Sequence, residues 1–276
     1  MKETGESLET YDQRQCKLDD ALASVARGVP SSWRVVRLKR SELDRFVFEP
    51  SDVVLAVGQD GLVANVAKYL TGQFVIGFNP DPQIYEGVLV RNNPADAARL
   101  VIATGSGAIA FEDRTMVQAT LEDGQQLLAL NEIFIGHRSH QSARYQLRVG
   151  QRAEHQSSSG LIVSTGTGST GWARSINAER RSSVQLPKPM DSELALFVRE
   201  AFPGSGFQAT LTETVVHRDE SVVVTSEMDD AGVIFGDGIE DDRIPFGFGA
   251  QASISVAANR LRLVVDASVS ATSAAA

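Results

Sequence analysis

A loop built only from serine, threonine and glycine, residues 164–171, joins an apolar stretch to a helix-forming one. The apolar stretch is residues 161–163, and the helix-forming residues begin at Trp172. Because the loop has no bulky side chain, its backbone N–H groups can face a ligand at the start of the helix, where anions are favoured. We expect positive φ angles and close ligand approach at its glycines, Gly166, Gly168 and Gly171. The pattern favours a phosphate site, with an ordinary surface loop as the alternative.

A second junction of strand, glycine turn and helix lies upstream. Residues 53–57 are typical of a buried strand, residues 58–61 (GQDG) of a turn, and apolar residues then recur at helical spacing over 62–70. A carboxylate in such a turn repels phosphate, so Asp60 fits a group that accepts a proton from a hydroxyl or helps to hold a cation. Asp is also a common turn or N-cap residue, and the turn alone leaves both interpretations open.

Composition narrows the class of protein. The chain has 276 residues, 42% hydrophobic and 22% charged, which is typical of a soluble globular protein with one large or two ordinary domains. Its net charge of −9 argues against a nucleic-acid partner, which needs a basic surface. The sequence has no membrane-spanning apolar run, no secretion signal and a single cysteine, Cys16, so we expect a cytoplasmic protein without an intrachain disulfide.

The order of the elements predicts a first domain of α/β type. Up to about residue 104, strands alternate with helices, which predicts a Rossmann-like parallel sheet covered by helices. The predicted strands are 33–38, 53–57 and 74–78, and the predicted helices are 11–26, 62–70 and 94–103. We interpret residues 1–104 as an α/β nucleotide-binding domain that carries the GQDG turn.

The remainder predicts a β-rich second domain. Residues 105–266 hold mostly short strand-like segments, which we interpret as a dinucleotide-binding domain of β-sandwich type. Its predicted elements include a short helix at 172–178 and strands at 194–198, 209–217, 222–225, 233–235, 252–256 and 261–265. Residues 267–276, rich in Ser and Ala, predict a flexible tail. We expect the nucleotide site in the crevice between the two domains.

Four short motifs carry a resemblance to the NAD kinase family, whose members phosphorylate NAD to NADP. Residues 58–61 (GQDG) resemble the family's GGDG loop, and Asn79 with residues 87–89 (GVL) resembles its Asn…Gly-x-Leu segment. Residues 131–132 (NE) resemble its paired Asn-Glu/Asp, and residues 164–170 (STGTGST) resemble its second Gly/Thr-rich loop. Each motif is weak alone, but the four occur in the family's order, with wording that most resembles the mitochondrial NAD kinase branch.

The resemblance implies a role for each matching residue. Asp60 would be the catalytic carboxylate that takes the proton from the adenosine ribose 2′-hydroxyl, in a loop whose Gly58 and Gly61 lie close to phosphates. Asn131 and Glu132 would bind the nicotinamide side of the dinucleotide, with the Glu132 carboxylate accepting hydrogen bonds from ribose hydroxyls. The other residues expected to bind or support the nucleotide are Asn79, Thr167, Gly168, Ser169, Thr170 and Trp172.

The resemblance also implies the remaining components of the reaction. ATP or a polyphosphate would donate the phosphoryl group, and NAD or NADH would accept it. Mg²⁺ and backbone dipoles would neutralise the phosphates, since only Lys68 and Arg174 lie near the two loops in the sequence. No residue is predicted as a dedicated metal ligand. The protein would be a homo-oligomer, dimer or tetramer.

Departures from the family keep alternatives open. Gln59 replaces the second glycine of the GGDG loop, Leu62 replaces the usual threonine, and the polar residues 1–11 contain no strand before the first helix. Gln59 and Leu62 motivate one alternative, a catalytically degenerate protein that senses NAD or NADP, whereas the missing strand bears on the stability of the first domain. A lipid kinase of the diacylglycerol kinase type shares the GGDG loop, but the other motifs fit a dinucleotide better.

Overall fold

The computed structural model describes residues 8–266, which form two compact units. The first unit comprises residues 8–113 and 261–266, and the second comprises residues 114–260. The predicted tail and the first seven residues lie outside the described part. Across the described residues, no helix combines the length and the apolar character that crossing a membrane requires.

Strands outnumber helices along residues 8–266. The helices are α1 (Leu8–Gly28), α2 (Asp60–Ala67), α3 (Ala97–Gly105) and α4 (Trp172–Arg180), with 3₁₀ turns at Arg40–Arg45, Pro94–Asp96 and Gly168–Thr170. The strands are β1 (Val53–Val57), β2 (Phe74–Phe78), β3 (Phe111–Leu121), β4 (Gln126–Ala129), β5 (Glu132–His137), β6 (Ala143–Val149), β7 (Arg152–Ser158), β8 (Leu161–Ser164), β9 (Glu193–Val198), β10 (Glu213–His217), β11 (Val222–Ser226), β12 (Gly232–Gly236), β13 (Ile239–Pro245) and β14 (Gln251–Val264).

The first unit is an α/β structure around a parallel arrangement of strands. Strands β1 and β2 are parallel, and the end of β14 also pairs with β2 in parallel, with Leu263 opposite Val75. Apolar side chains from the helices and strands form its core, in which Val25 of α1 and Leu100 of α3 are buried with Ile76 of β2. The α/β character of this part of the chain is confirmed, and its Rossmann-like description stays a prediction.

Strands β1 and β2 have the predicted bounds, but two other predictions for this unit need correction. The predicted strand 33–38 is wrong, because the segment pairs with no strand among the described residues and leaves Val35 and Val36 each 56% exposed. The predicted helix 62–70 begins earlier, at Asp60, and its regular part ends at Ala67. The helix therefore starts on the candidate catalytic residue itself.

The second unit is β-rich, as predicted, and contains two sets of strands. One set is a separate antiparallel sheet in the order β10-β9-β8-β5-β12-β13. In the other, β7, β6, β11 and the first half of β14 pair in that order, and β3 forms a hairpin with β4. Inward-facing side chains of both sets share one core, to which Tyr145 of β6, Ile135 of β5 and Val224 of β11 contribute.

Three strands at the end of the chain, β10, β13 and β14, differ from the predictions. The predicted strands 252–256 and 261–265 are parts of one continuous strand, β14, whose two halves pair with different partner strands. The predicted strand 209–217 is regular only from Glu213. Strand β13 is not predicted by the apolar pattern, because four of its seven residues are charged and most of its side chains are exposed.

Candidate functional site

The glycine turn of the first unit connects β1 to α2. Gly58 follows the strand directly, and its N–H donates to the carbonyl of Phe78 at the end of β2 at 3.1 Å. Gln59 is the N-cap and Asp60 is the first residue of the helix, where a negative side chain is favoured by the helix dipole. Gly61 comes next, is exposed and has no neighbouring atom within 4 Å of a Cβ built on it, so the space beside it is open.

The carboxylate of Asp60 is bound by the backbone of the segment that carries the second motif. Its Oδ2 accepts the N–H of Val88 at 2.9 Å, and its Oδ1 accepts the N–H groups of Leu89 at 2.8 Å and Val90 at 3.1 Å. The structure thus brings the GQDG turn and the GVL segment together. A carboxylate has about four acceptor positions, so Oδ2 retains capacity for one more partner.

Asn79 is buried and organises the loop that leads to this segment. Its Nδ2 donates to the carbonyl of Tyr85 at 2.9 Å, and its Oδ1 accepts the N–H of Asp81 at 3.0 Å. A Cβ at Gly87, whose φ is 68°, would lie 2.7 Å from the same Nδ2. Asn79 therefore binds the backbone of this loop, and its expected part in nucleotide binding stays a prediction.

In the second unit, Asn131 and Glu132 form a corner at the start of β5. The carboxylate of Asp237 holds this corner, since its Oδ1 accepts the N–H of Asn131 at 2.6 Å and its Oδ2 accepts that of Leu130 at 3.1 Å. The N–H of Asp237 donates in return to the carbonyl of Glu132 at 3.0 Å. Three hydrogen bonds thus connect Asp237 to this corner, and Asp237 is a residue that the sequence analysis missed.

The side chains of Asn131 and Glu132 are half-buried and make no hydrogen bond to any residue between 8 and 266. Their polar groups are therefore available to a ligand. Burial, and secondly the negative charge of Asp237, raise the pKa of Glu132 to about 7. A carboxyl group with this pKa is partly protonated at neutral pH.

The Ser/Thr/Gly loop lies against the same corner. The N–H of Thr165 donates to the carbonyl of Asn131 at 2.8 Å, and its Oγ1 donates to the carbonyl of Leu130 at 2.6 Å. That hydroxyl also accepts the N–H groups of Thr167 at 3.1 Å and Gly168 at 3.3 Å. These two N–H groups are thus satisfied inside the loop, which corrects the expectation that they face a ligand.

The glycines of this loop also differ from the sequence expectation. None of Gly166, Gly168 and Gly171 has a positive φ. A Cβ at Gly166 would lie 1.9 Å from the carbonyl oxygen of Lys188, and one at Gly168 would lie 2.3 Å from that of Asn131. Two of the glycines are therefore required by close packing of backbone on backbone.

The predicted residues of the loop are exposed to different degrees. Thr167 and Gly168 are buried, Ser169 is half-buried, and Thr170 is exposed. Trp172, at the start of α4, is 46% exposed. A ligand thus has access to the end of the loop rather than to its middle.

Two arginines that the sequence analysis did not associate with the loop lie near it, one against Thr167 of the loop and one against Trp172, which follows it. Arg114 is 1% exposed, and its Nη1 donates to the Oγ1 of Thr167 at 3.3 Å. The guanidinium of Arg199 lies over the ring of Trp172, 5.1 Å from its centroid. Both arginines are far from the loop in sequence, so only the fold could reveal them.

The described residues include no cluster typical of a dedicated cation site. Between residues 8 and 266, no three His, Cys, Asp or Glu side chains are grouped so that they could hold a metal ion. The candidate carboxylate Asp60 already binds three N–H groups. Mg²⁺ is usually bound by one or two carboxylates together with phosphate oxygens and waters, so the expectation of this ion stays a prediction.

Comparison with known proteins agrees with the motifs. The chain is 29% identical over 197 residues to "NAD kinase 2, mitochondrial" of Rattus norvegicus, a match that covers 54% of this chain and 46% of the relative. It is 34% identical over 134 residues to "NAD kinase" of Methylococcus capsulatus and 32% identical over 134 residues to that of Burkholderia multivorans. These two matches cover 45% of this chain, and 45% and 43% of the relatives.

These matches have defined limits. No protein-family model matches the chain. The chain spans about half the length of the curated relatives it matches. Over that length the resemblance to NAD kinases is confirmed, including the mitochondrial branch: the chain is similar in sequence to curated proteins named NAD kinase.

Proposed function

We propose that the chain is an NAD kinase-like phosphotransferase, which transfers a phosphoryl group to the adenosine ribose 2′-hydroxyl of NAD and gives NADP. The observation that carries the proposal is the corner at Asn131 and Glu132, where a backbone bound by Asp237 presents two side chains with no hydrogen-bond partner among residues 8–266. Paired amide and carboxyl groups are suited to the hydroxyl and carboxamide groups of a dinucleotide. The similarity to proteins named NAD kinase supports the same substrate.

In the proposed reaction, the 2′-hydroxyl oxygen attacks the terminal phosphorus of the donor. A new P–O bond forms, the bond to the leaving phosphate chain breaks, and the hydroxyl proton passes to Oδ2 of Asp60, which accepts only one N–H bond. The donor is ATP or a polyphosphate, and Mg²⁺ would arrive with its phosphates. The chain's part is to position the hydroxyl and accept its proton.

A second candidate function is a non-catalytic protein that binds NAD or NADP. One observation favours it: the three N–H bonds to Asp60 give this carboxylate a structural task, which a binding protein would also need. Under this alternative, the chain retains Asp60 for the position of residues 88–90 and transfers no phosphate.

The test is NADP formation from NAD, ATP and Mg²⁺ by the wild type and by Asp60→Asn. We expect product from the wild type and at least about a hundredfold less from the variant, because general-base catalysis contributes on that order. Calorimetric NAD binding and the melting temperature of the variant are measured in parallel. Asp52→Asn is the matched control, because Asp52 also accepts a backbone N–H in the first unit, from Glu49 at 2.9 Å, but lies outside the glycine turn.

The outcomes separate the two candidates. Retained NAD binding with lost turnover in Asp60→Asn supports a catalytic carboxylate. NAD or NADP binding by the wild type, without product from ATP or polyphosphate, supports the non-catalytic alternative. If Asp60→Asn turns over NAD as fast as the wild type, the proposed role of Asp60 is wrong.

A further inference from the structure

The corner of the second unit holds two carboxyl groups in different surroundings. Asp237 lies in the two-residue turn between β12 and β13, with φ 55°, and its two oxygens accept the N–H groups of Leu130 and Asn131. A protonated carboxyl would place an O–H among these N–H donors. The contacts therefore favour the ionised form of Asp237.

Glu132 has the opposite surroundings. Its carboxyl is half-buried and accepts no hydrogen bond from residues 8–266. Its partner across the strand pair with β8 is the neutral Ser164. Asp237 lies beside it at the end of β12, the other neighbour of β5, and its N–H donates to the carbonyl of Glu132 at 3.0 Å. Burial, and secondly the negative charge of Asp237, raise the pKa of Glu132. Two neighbouring half-buried carboxyl groups do not both ionise readily, and only Asp237 has donors to stabilise its charge.

We propose that Glu132 binds its ligand as a neutral carboxylic acid that donates its O–H to an acceptor oxygen or nitrogen of the ligand, and that Asp237 is the positioning residue that keeps the proton on Glu132. This inference rests on the proposed function, in which the ligand is NAD. It reverses the hydrogen bond expected from the sequence, where the carboxylate accepts from ribose hydroxyls. The chemical class recognised is therefore an acceptor, such as a carboxamide oxygen or a ribose oxygen.

NAD binding followed by calorimetry from about pH 5.5 to about pH 8.5 tests the proposal. With a pKa of about 7 for Glu132, we expect the association constant of the wild type to fall at least about tenfold, on the order set by one titrating group, from pH 6 to pH 8.5. Glu132→Gln should bind with little pH dependence, because the amide donates at every pH, and Glu132→Ala should bind weakly throughout. Glu240→Gln, at an exposed position of β13, is the matched control and should follow the wild-type profile.

The results of these binding experiments test the neutral-acid inference and the proposed function separately. If wild-type affinity does not change with pH, or if Glu132→Gln binds as weakly as Glu132→Ala at pH 6, the neutral-acid inference is wrong and the proposed function is unaffected. If the wild type binds neither NAD nor NADP at pH 6, the proposed function fails, and the ligand named in the inference fails with it.

Measurements without ligand test whether the carboxyl group of Glu132 is protonated. Because the pKa of Glu132 is raised on folding, its favourable contribution to stability is complete below about pH 4.5 and is lost as the pH rises to about 7. Glu132→Gln should therefore raise the melting temperature more at pH 8.5 than at pH 5. Asp237→Asn should lower the pH at which the Glu132 carboxyl loses its proton in NMR. An equal melting shift at both pH values would contradict the inference.

Discussion

Glu154, on β7, is a buried carboxylate outside the candidate site whose charge the fold stabilises. Burial on its own would raise its pKa, but hydrogen bonds from Thr210, Leu211 and Gln156 outweigh this effect and lower the pKa to about 2. Because the pKa is lowered on folding, the contribution to stability is present above about pH 4.5 and is lost as the pH falls towards 2. A difference of this size corresponds to about 3 kcal/mol at pH 7.

We therefore expect Glu154→Gln to reduce the free energy of unfolding by about 2 kcal/mol at pH 7 and by clearly less at pH 3. Urea denaturation at the two pH values measures this difference. Glu220→Gln is the control, because the exposed Glu220 accepts a single backbone N–H, from His217 at 3.0 Å, and should change stability by no more than about 0.5 kcal/mol. An equal loss for Glu154→Gln at pH 3 and pH 7 would show that its charge is not what stabilises the fold.

At the scale of single residues, the sequence predicts which residues belong to the site, but it does not predict what these residues contact. Residue type and turn context predict Asp60 as a site residue, yet its three N–H donors come from residues 88–90, about thirty positions away. Asp237 follows a buried strand and precedes a glycine, which is an ordinary turn signal. Nothing in that signal shows that its carboxylate reaches the N–H groups before β5, because this contact depends on how β12 pairs with β5.

At the scale of elements, the local residue pattern predicts a strand correctly where a short apolar run is also buried. It fails where pairing with other strands determines whether the segment forms a strand. Strands β1 and β2 are short apolar runs and have their predicted bounds. The segment 33–38 has the same β-forming residues but finds no partner strand among the described residues, and it is held through Trp33, whose ring packs against Gly105. In β14, the polar residues near Asn259 interrupt the apolar pattern, but hydrogen bonds to successive partner strands keep the backbone extended.

A substitution in the Ser/Thr/Gly loop can test whether its glycines are required for packing or for the approach of a ligand. Gly166→Ala would place a Cβ 1.9 Å from the backbone carbonyl of Lys188, so we expect a loss of about 3 kcal/mol or more of stability in thermal or urea unfolding. Gly61→Ala is the matched control, since its Cβ would meet no atom within 4 Å and its φ is not positive. This control should leave stability unchanged or raise it by about 0.5 kcal/mol. Full stability of Gly166→Ala would mean that the loop does not pack as described.

At the scale of the whole molecule, composition argues against a nucleic-acid partner and allows two domains, but it gives no sign that the chain returns to its first unit after the second. The last described residues add a parallel strand segment beside β2, where Arg262 lies opposite Phe74. The guanidinium of Arg262 also lies over the rings of Phe74 and Phe111, 5.6 and 6.0 Å from their centroids. Such a contact between distant parts of the chain cannot be inferred from local periodicity.

The two tryptophans of the chain allow this arrangement to be tested, because Trp33 belongs to the first unit and Trp172 to the second. A chain that ends at Arg260 lacks the buried side chains of Leu261, Leu263 and Val264, each of which stabilises the first unit by about 1.5–3 kcal/mol when buried. Compared with a chain that ends at Asp266, it should therefore lose at least about 4 kcal/mol in the first unit.

The variant Trp172→Phe retains only Trp33, and the variant Trp33→Phe retains only Trp172. Tryptophan fluorescence of these variants during urea denaturation therefore follows the first and the second unit separately. The shorter chain should shift the transition reported by Trp33 to much lower urea and shift that reported by Trp172 less, because the removed residues pack in the first unit. A Trp33 transition that does not move would show that the return of the chain does not stabilise the first unit. Equal shifts at both tryptophans would show instead that the two units unfold as one cooperative body.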